Sequence, residues 1–262
     1  MIDKSLLVKI FGHPATLIHH DLTVLDRWLW IKNYLPKTNN KEALIDIGCG
    51  TGAFTIGASL RGYQALGLSW DDRNQKVATE RAKICHASTA TFEIQDVRFL
   101  HERKDLFGKF EVAICSENIE HILDDKKLLK DIVTCLKPGG CLLLTAPYYH
   151  LKAISDGDNG PWSKLEDGGH VRRGYTKTML QELSESVDLK IEQISFCTGF
   201  FSQKITRLYR VLSKIHPLLS WLVVVPLRIL PLIFDKMITK IFKWPALSIC
   251  IEAYKPRFDL IH

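Results

Sequence analysis

The sequence predicts an α/β sandwich, in which helices cover both faces of a largely parallel sheet. Short apolar runs alternate with helical patterns from residue 43 to about residue 146, which is typical of right-handed βαβ units. A turn with three glycines in five positions follows the first run. Two more strand candidates lie near the C-terminal end, separated by a basic segment that prolines interrupt.

The apolar runs predict the strands in chain order. Each run is short and is followed by a turn or by a helix signal. The five runs of the alternating region are 43–47, 64–69, 91–95, 110–115 and 141–147, and the two later candidates are 189–197 and 247–254.

Helix-start signals lie between these runs. Asp72, with Gln75 three residues on, forms a variant of the capping box. Asp125 precedes a stripe of apolar residues at helical spacing, which ends at Pro138-Gly139-Gly140. The first 40 residues are predicted to be helical, and the helical stretch "DLTVLDRWLWIKNYL" (21–35) ends at Pro36.

Composition indicates an ordinary globular protein. The chain is 46% hydrophobic and 24% charged, without a low-complexity tract. Its seven cysteines include no pair at C-x-x-C spacing, so we expect buried thiols in a reducing cytoplasm instead of disulfides or a zinc site. The N-terminal residues do not have the pattern of a signal peptide. We therefore expect a cytoplasmic protein.

The turn in "LIDIGCGTGAF" (44–54) predicts a ligand that lies against the backbone. Glycines after a strand and before a helix let a ligand contact N–H groups at the helix N-terminus. Gly48, Gly50 and Ala53 also satisfy the dinucleotide pattern G-x-G-x-x-A. Asp46, however, occupies a position that is normally apolar in dinucleotide folds, which disfavours a nicotinamide cofactor.

Three stretches together resemble one family. "LIDIGCGTG" (44–52), "FEVAICSENIEH" (110–121) and "LKPGGCLLLTAP" (136–147) resemble the class I, Rossmann-like methyltransferases that use S-adenosylmethionine, and are similar to small-molecule and ubiquinone-pathway O-methyltransferases. The resemblance implies a three-layer sandwich with a mostly parallel seven-stranded sheet. Its expected parts are an N-terminal helical cap (1–40), a methyltransferase domain (41–200 and 246–257) and a helical lid or insertion between the last two strands (201–245).

The resemblance also implies a cofactor site. The glycines would carry the methionine part of S-adenosylmethionine, and Asp96 would accept from the adenine amino group. The family has an acidic residue that binds the ribose where this chain has Ser69, so Gln75 is expected to share the task. Trp70 would cover the adenine, although a core position is the alternative. The complete set is Asp46, Gly48, Cys49, Gly50, Gly52, Ser69, Trp70, Gln75, Asp96, Val97 and Ser116.

Candidate catalytic residues surround the expected mouth of this site. Methyl transfer to a hydroxyl needs a group that removes its proton, and the intrinsic pKa of histidine suits that task. His121 is the candidate base, although a role limited to hydrogen bonding the cofactor loop is the alternative. The other candidates are Glu117, Glu120, His150 and His170.

"SENIEH" also has the form E-x-x-E-H. On a helix, Glu117, Glu120 and His121 would share one face suited to a divalent ion. The resemblance extends to small-RNA 2′-O-methyltransferases and ubiquinone-pathway enzymes that use this pattern for metal, and to relatives without metal. We expect no metal, and metal-assisted 2′-O-methylation is the alternative. We expect no nucleic-acid partner, because the basic segment is interleaved with aliphatic residues.

The stretch 166–183 resembles the segment that many small-molecule methyltransferases place near the acceptor. His170, Arg172 and Arg173 would face the acceptor or its anionic group, and a solvated loop is the alternative. Thr176 is the predicted cap of a helix with inward-facing Met179, Leu180, Leu183 and Val187. The expected function is O-methylation of a partly apolar small molecule, such as an isoprenoid, a lipid-linked sugar or a natural product. A non-catalytic cofactor-binding scaffold is the alternative, and the oligomeric state is open.

The positive charge of the chain is local. Residues 203–245 contain eight Lys or Arg against one acid, Asp235, so this segment is +7 in a chain of net charge +6. Arg207, Arg210 and Lys214 are predicted to form one side of an amphipathic helix. The segment is interpreted either as an apolar cap over the acceptor or as a surface for peripheral contact with an anionic membrane.

Overall fold

A seven-stranded sheet forms the centre of the protein. The computed structural model describes residues 6–18 and 22–257, so residues 1–5 and 19–21 of the predicted N-terminal cap lie outside the described residues. The strand order is β3-β2-β1-β4-β5-β7-β6, with β7 antiparallel to β5 and β6 and the other pairs parallel. The predicted fold class, a mostly parallel sheet between helical layers, is confirmed.

Strands and helices alternate along the chain as the sequence predicts. The strands are β1 (Ala43–Ile47), β2 (Gln64–Ser69), β3 (Ala90–Ile94), β4 (Phe110–Ser116), β5 (Leu136–Pro147), β6 (Lys190–Cys197) and β7 (Ser248–Tyr254). The helices are α1 (Leu6–Phe11), α2 (His13–Thr16), α3 (Thr23–Ile31), α4 (Ala53–Ser59), α5 (Asp72–Ile84), α6 (Asp125–Cys135), α7 (Lys177–Glu185), α8 (Phe200–Ser213), α9 (Pro217–Leu227) and α10 (Ile229–Ile241).

Apolar residues on both faces of the sheet explain its burial. In β1, Ile45 and Ile47 pack on the side that α6 and α7 cover, whereas Leu44 packs on the side that α3 and α4 cover. Successive side chains of a strand point to opposite faces, so a continuous apolar run fits a strand between two helical layers. The core therefore lies on both sides of β1 and β4.

Helix caps differ by one residue from two of the predictions. Asp71 rather than Asp72 caps α5, because Oδ1 of Asp71 accepts a hydrogen bond from the backbone N–H of Arg73 at 2.8 Å. Asp124 rather than Asp125 caps α6, because Oδ1 of Asp124 accepts a hydrogen bond from the backbone N–H of Lys127 at 2.9 Å. Thr176 caps α7 as predicted. An aspartate outside the helix can reach the free N–H groups of the first turn, whereas one inside it cannot.

The strand β5 begins earlier than predicted. It starts at Leu136 instead of Cys141, so the Pro138-Gly139-Gly140 stretch lies within the strand. The pairing of β4 with β5 changes register between Phe110 and Val112, which accommodates this irregular start.

The helices α8, α9 and α10 form an insertion between β6 and β7. Val224 of α9 packs against Ile205 of α8 and Leu22, which precedes α3. Asp235 of α10 accepts hydrogen bonds from the N–H groups of Gly199 and Phe201 at 2.8 and 2.6 Å, at the start of α8. Among the described residues, no helix is long and apolar enough to cross a membrane.

A buried ion pair fixes the insertion to the N-terminal helices. Arg228 donates from Nη2 to Oδ1 of Asp26 in α3 at 2.5 Å, and the two side chains are only 5% and 10% exposed. Burial raises the pKa of Asp26 and the charge of Arg228 opposes that rise. Removing one partner leaves the other charge buried and unpaired, which costs more than the intact pair contributes.

Replacement of Arg228 by Met is therefore expected to lower the free energy of unfolding by about 3–5 kcal/mol. The double variant Asp26→Leu with Arg228→Met is expected to recover most of that loss, because no charge then remains buried. Urea unfolding of the wild type, both single variants and the double variant measures the coupling. A single variant as stable as the wild type would contradict the assignment.

Candidate functional site

The glycine turn after β1 leaves open space above its backbone. Gly50 has φ +52°, and a Cβ added there would meet no atom within 4 Å. At Gly52, with φ +80°, a Cβ would lie 2.7 Å from the ring of Phe92. The N–H of Cys49 donates to the carbonyl of Leu68 at 2.8 Å, which fixes the turn to β2. Gly52 is therefore required by packing, whereas Gly50 faces an open site.

Asp46 connects β1 to α4 beneath this turn. Its Oδ2 accepts a hydrogen bond from Thr55 Oγ1 at 2.7 Å, and the side chain is buried. Burial raises the pKa of Asp46 to about 6, and the hydrogen bond from Thr55 opposes the rise. Asp46 thus ties the end of β1 to the start of α4 below the turn.

A first cavity of about 340 Å³ lies on one side of the turn. Its lining includes six of the predicted cofactor residues: Gly48, Gly50, Ser69, Trp70, Asp96 and Val97. Trp70 is 67% exposed at the rim, so the alternative that placed it in the core is wrong. Asn74 lines the same cavity and was not predicted, although it directly precedes the glutamine that was.

Gln75 does not line this cavity. It is buried, and its Nε2 donates to the carbonyl of Glu93 at 2.6 Å. Nε2 also lies 3.5 and 3.4 Å from the carbonyls of Gly67 and Ser69 in β2, so this amide joins α5 to β2 and β3. The amide of Gln75 therefore stabilises the fold. Its predicted role in ribose binding stays a prediction.

Asp96 carries its own counter-ion. The guanidinium of Arg98 donates from Nε to both carboxylate oxygens at 2.9 and 3.0 Å, and this bonding lowers the pKa of Asp96. Arg98 also pairs with Glu166 at 3.0 Å, so the segment after β5 is tied to the rim. Asp96 is an ionised acceptor at neutral pH.

A second cavity of about 230 Å³ lies on the other side of the turn. Asp46, Gly48, Cys49, Gly50 and Ser116 of the predicted set line it. Two arginines that the sequence did not single out, Arg27 and Arg81, also line it. Arg81 is 1% exposed and donates to Thr51 Oγ1 at 2.8 Å, so it places a guanidinium beside the turn.

Glu117 lies where the cavities meet. It lines both of these cavities and also a third, of about 470 Å³. Its φ is +48°, a strained conformation for a residue with a side chain, and its N–H donates to the Thr145 carbonyl at 2.8 Å. Its carboxylate accepts from Thr145 Oγ1 at 3.1 Å and lies 3.5 Å from Arg27 Nη1.

Glu120, His121 and His170 form a cluster in the wall of the third cavity. Glu120 is fully buried, and within the described part of the chain neither of its oxygens has a hydrogen-bond partner. The Nε2 atoms of His121 and His170 lie 3.9 and 4.0 Å from its Oε1. Burial raises the pKa of Glu120 well above its usual range, and the charge of Glu117 adds to the rise. One potential ligand atom from each residue lies within 4.8 Å of the others.

The tautomer of His121 follows from its contacts. Its Nδ1 lies 3.1 Å from the carbonyl oxygen of Gly169, which can only accept, so Nδ1 carries the proton. The lone pair of Nε2 is then on the side of Glu120 and the third cavity. Burial and the nearby His121 lower the pKa of His170, which stacks on Trp162.

The predicted helical face over Glu117–His121 is wrong. Only Ile119–His121 forms a helical turn, a single 3₁₀ turn, because Glu117 adopts a left-handed conformation. His170 takes the place that Glu117 had in the predicted ligand set. His150 is exposed and contacts the rings of Tyr148 and Tyr149, outside the lining of the third cavity.

Arg172 and Arg173 follow β5, and only Arg173 lines the third cavity. Arg172 bonds Tyr175 and the carbonyls of Ile122 and Leu123, so its side chain is structural. Arg173 lines the third cavity, and its guanidinium donates to the carbonyls of Tyr149 and Leu151. Its predicted contact with the acceptor stays a prediction. Met179, predicted to point inward, is 38% exposed.

Of the three basic residues predicted to share one side of a helix, Arg207, Arg210 and Lys214, only Arg210 lines the third cavity. It lines the third cavity, donates to Ser155 Oγ at 2.8 Å and lies 3.3 Å from Asp158. Arg27 and Arg210 were missed as site residues because each comes from a helix distant in sequence from the motifs. A basic residue on an amphipathic helix gives no local signal for such a position.

Known proteins resemble this chain in sequence and in fold. A family model described as a methyltransferase domain matches residues 19–194. A ubiquinone biosynthesis O-methyltransferase of Leptothrix cholodnii is 27% identical over 116 residues, 44% of this chain and 48% of that one. One of Marinobacter nauticus is 26% identical over 180 residues, 65% of this chain and 71% of that one. The matched region thus spans about half the length of several of these relatives.

Solved structures share the fold at low sequence identity. Phosphoethanolamine N-methyltransferase 2 of Haemonchus contortus, solved with S-adenosylmethionine, gives a TM-score of 0.64 at 18% identity and covers 98% of this chain and 61% of that one. The cyclase SpnF gives 0.61 at 16% identity, with 89% and 82% covered. The family model covers well over half of the chain, and the site lies where the family's motifs meet. This protein therefore belongs to the methyltransferase-domain family, in its S-adenosylmethionine-dependent, seven-stranded class.

Proposed function

We propose that this protein is an S-adenosylmethionine-dependent O-methyltransferase whose acceptor is a partly apolar small molecule. The observation that carries the proposal is the meeting of three cavities at Glu117. Two of them flank the open backbone of Gly50, and the third contains an imidazole with an available lone pair. A cofactor site and an acceptor site thus share one boundary.

The residues around the glycine turn fit S-adenosylmethionine. The open space at Gly50 admits a ligand against the backbone. Asp96 offers an ionised acceptor in the first cavity, and the exposed ring of Trp70 stands at its rim. In the second cavity, Arg27 and Arg81 provide positive charge, and Asp46 provides a carboxyl group. These are partners for a ligand that carries an adenosine, a carboxylate and an ammonium group.

Catalysis requires alignment of the acceptor and removal of its proton. When bound, the cofactor supplies a methyl group activated by its sulfonium. The protein orients the acceptor in the third cavity, and Nε2 of His121 accepts the hydroxyl proton. The Gly169 carbonyl holds His121 in the tautomer that this step needs.

Glu120 is a positioning residue for this base. Its carboxyl group lies 3.9 Å from Nε2 of His121 and is shielded from water. A proton gained by His121 places a positive charge beside Glu120, and this charge favours the ionised form of the carboxyl group. The buried carboxyl group thus stabilises the positive charge of the protonated imidazole.

The lining of the third cavity supports an acceptor with apolar and polar parts. Leu151, Pro161 and Trp162 contribute apolar surface. Arg173 and Arg210 contribute positive charge, and four acidic side chains line the same cavity, of which Asp158 pairs with Arg210. Similarity to ubiquinone biosynthesis O-methyltransferases supports the same class of acceptor and favours transfer to oxygen. We propose no nucleic-acid acceptor, because the cavity is a pocket between α3, α8 and the segment after β5.

Replacement of Gly50 by Val is expected to abolish S-adenosylmethionine binding and leave the fold intact. The new Cβ meets no protein atom within 4 Å, but the side chain extends into the space that borders both cofactor cavities. Gly108→Val is the matched control, because Gly108 has φ +63°, is equally open and lines none of the three cavities. Both variants bear a similar backbone strain of about 1–2 kcal/mol. Calorimetry measures binding, and unchanged affinity in Gly50→Val would refute the cofactor site.

Replacement of His121 by Ala is expected to lower kcat on the order of 100-fold, with little change in cofactor affinity. His150→Ala is the control, since His150 lies outside the third cavity. The assay follows transfer of labelled methyl from S-adenosylmethionine to a panel of prenylated phenols. Equal losses in both variants would rule out His121 as the base. Cofactor binding without transfer to any co-purified or panel acceptor would favour the scaffold alternative.

The cluster of Glu120, His121 and His170 supports a second candidate, metal-assisted methyl transfer. Glu120 presents two unpartnered oxygens, and two imidazoles complete a set of three ligands. A divalent ion there would neutralise the buried carboxylate and bind the acceptor oxygen. The expected absence of a metal stays a prediction.

Turnover is expected to survive exhaustive chelation, because the Nε2 lone pair of His121 suffices as a base. The measurement compares chelated enzyme with and without added magnesium or manganese. Loss of turnover that either ion restores would establish the metal-assisted candidate instead. The His170→Ala variant sharpens the comparison: in the metal-free reaction it keeps the base, whereas in the metal-assisted reaction it loses a ligand.

A further inference from the structure

The insertion formed by α8, α9 and α10 exposes an unusual amount of apolar surface. Half of the exposed large apolar side chains among the described residues lie between Val211 and Phe242. Ile215 and Leu222 are 72% and 74% exposed. Contiguous apolar surface of this kind marks a site of contact with a partner or a membrane.

One face of α10 shows how this surface is built. Ile229, Ile233, Met237 and Ile241 recur at a spacing of four and are 52–62% exposed. Residues at this spacing lie on one side of a helix. The opposite side of α10 packs inward, where Asp235 caps the start of α8. The apolar row therefore faces solvent because the polar contacts of Asp235 fix the rotation of the helix.

Positive charge borders this apolar row. Lys236, Lys240 and Lys243 are exposed, and within the described residues no carboxylate lies at ion-pair distance from them. Arg207 and Lys214 are likewise exposed on α8. The single acid of the segment, Asp235, is turned inward. The exposed charge of the insertion is therefore entirely positive.

The third cavity does not account for this surface. Within the described part of the chain, no residue of α9 or α10 lines any of the three cavities. Arg210 of α8 lines the third cavity, whereas its neighbour Val211 is 52% exposed. The interpretation of residues 203–245 as an apolar cap over the acceptor leaves these exposed side chains without a partner.

We propose that the α8–α10 insertion docks on an anionic lipid bilayer. Its apolar row enters the interface between head groups and acyl chains, and its lysines contact the anionic head groups. Helices of 11 and 13 residues are too short to span a bilayer, so the contact is peripheral. A second copy of this chain is a poorer occupant, because two such surfaces would bring like charges together. This docking does not depend on the chemistry of methyl transfer.

Co-flotation of the full chain with vesicles tests the proposal. The vesicles are equimolar phosphatidylcholine and phosphatidylglycerol, or phosphatidylcholine alone. We expect binding to the anionic vesicles, at least about tenfold weaker binding to the neutral ones, and a large loss in about 1 M salt, where the Debye length is about 3 Å. Reversal of three charges in K236E/K240E/K243E is expected to weaken binding on the order of 100-fold.

A second variant tests the apolar row. I233S/M237S/I241S is expected to lose binding at low salt with all lysines intact. The control, I10S/F11S, alters α1 side chains that are 62% and 57% exposed but lie outside the insertion, and it should bind like the wild type. Thermal melts check that each variant is folded.

Three results would overturn the proposal. One is failure of the wild type to bind anionic vesicles at low salt. Another is equal binding to anionic and neutral vesicles. The third is sedimentation that shows a dimer dissociated by I233S/M237S/I241S, since the surface would then be an interface between copies.

Discussion

The site depends on the divergence of two neighbouring parallel strands. β1 and β4 lie side by side, and their connections lead away in opposite directions, β1 toward β2 and β4 toward β5. At such a switch point the loops separate and leave a crevice at the carboxyl ends of the strands. The glycine turn follows β1 and Glu117 follows β4, so both border the crevice. The three cavities meet there for this topological reason.

Buried charge distinguishes this crevice from the rest of the core. Asp46, Arg27 and Glu120 are each buried, and within the described residues neither carboxyl oxygen of Glu120 has a hydrogen-bond partner. A buried ionisable group without a full set of partners is costly, and such groups are concentrated at functional sites. The strained backbone of Glu117 adds to this local cost. Asp26 and Arg228, which are also buried, form an ion pair outside this crevice.

The insertion shows how polar contacts can expose an apolar face. The pair of Asp26 with Arg228 fixes its base to α3, and the caps from Asp235 fix α10 on α8. Together these contacts determine which side of α10 faces inward. Apolar residues then remain on the outer side, next to exposed lysines. Because α8 also contributes Arg210 to the third cavity, the outer surface and the acceptor site share one helix.

The sequence by itself determined the fold class, the succession of strands and helices along the chain and the position of the glycine turn. These features depend on local periodicity, helix caps and turn residues, which are properties of short stretches. Only the tertiary structure decided that Arg27, Arg210 and His170 line the third cavity while His150 does not. It also turned Gln75 inward, Trp70 outward and Asp235 toward α8. The orientation of each of these side chains depends on contacts between residues that are far apart in the chain, as Asp26 and Arg228 are. A local sequence pattern does not contain these contacts, so it cannot distinguish which of several similar side chains will line the site.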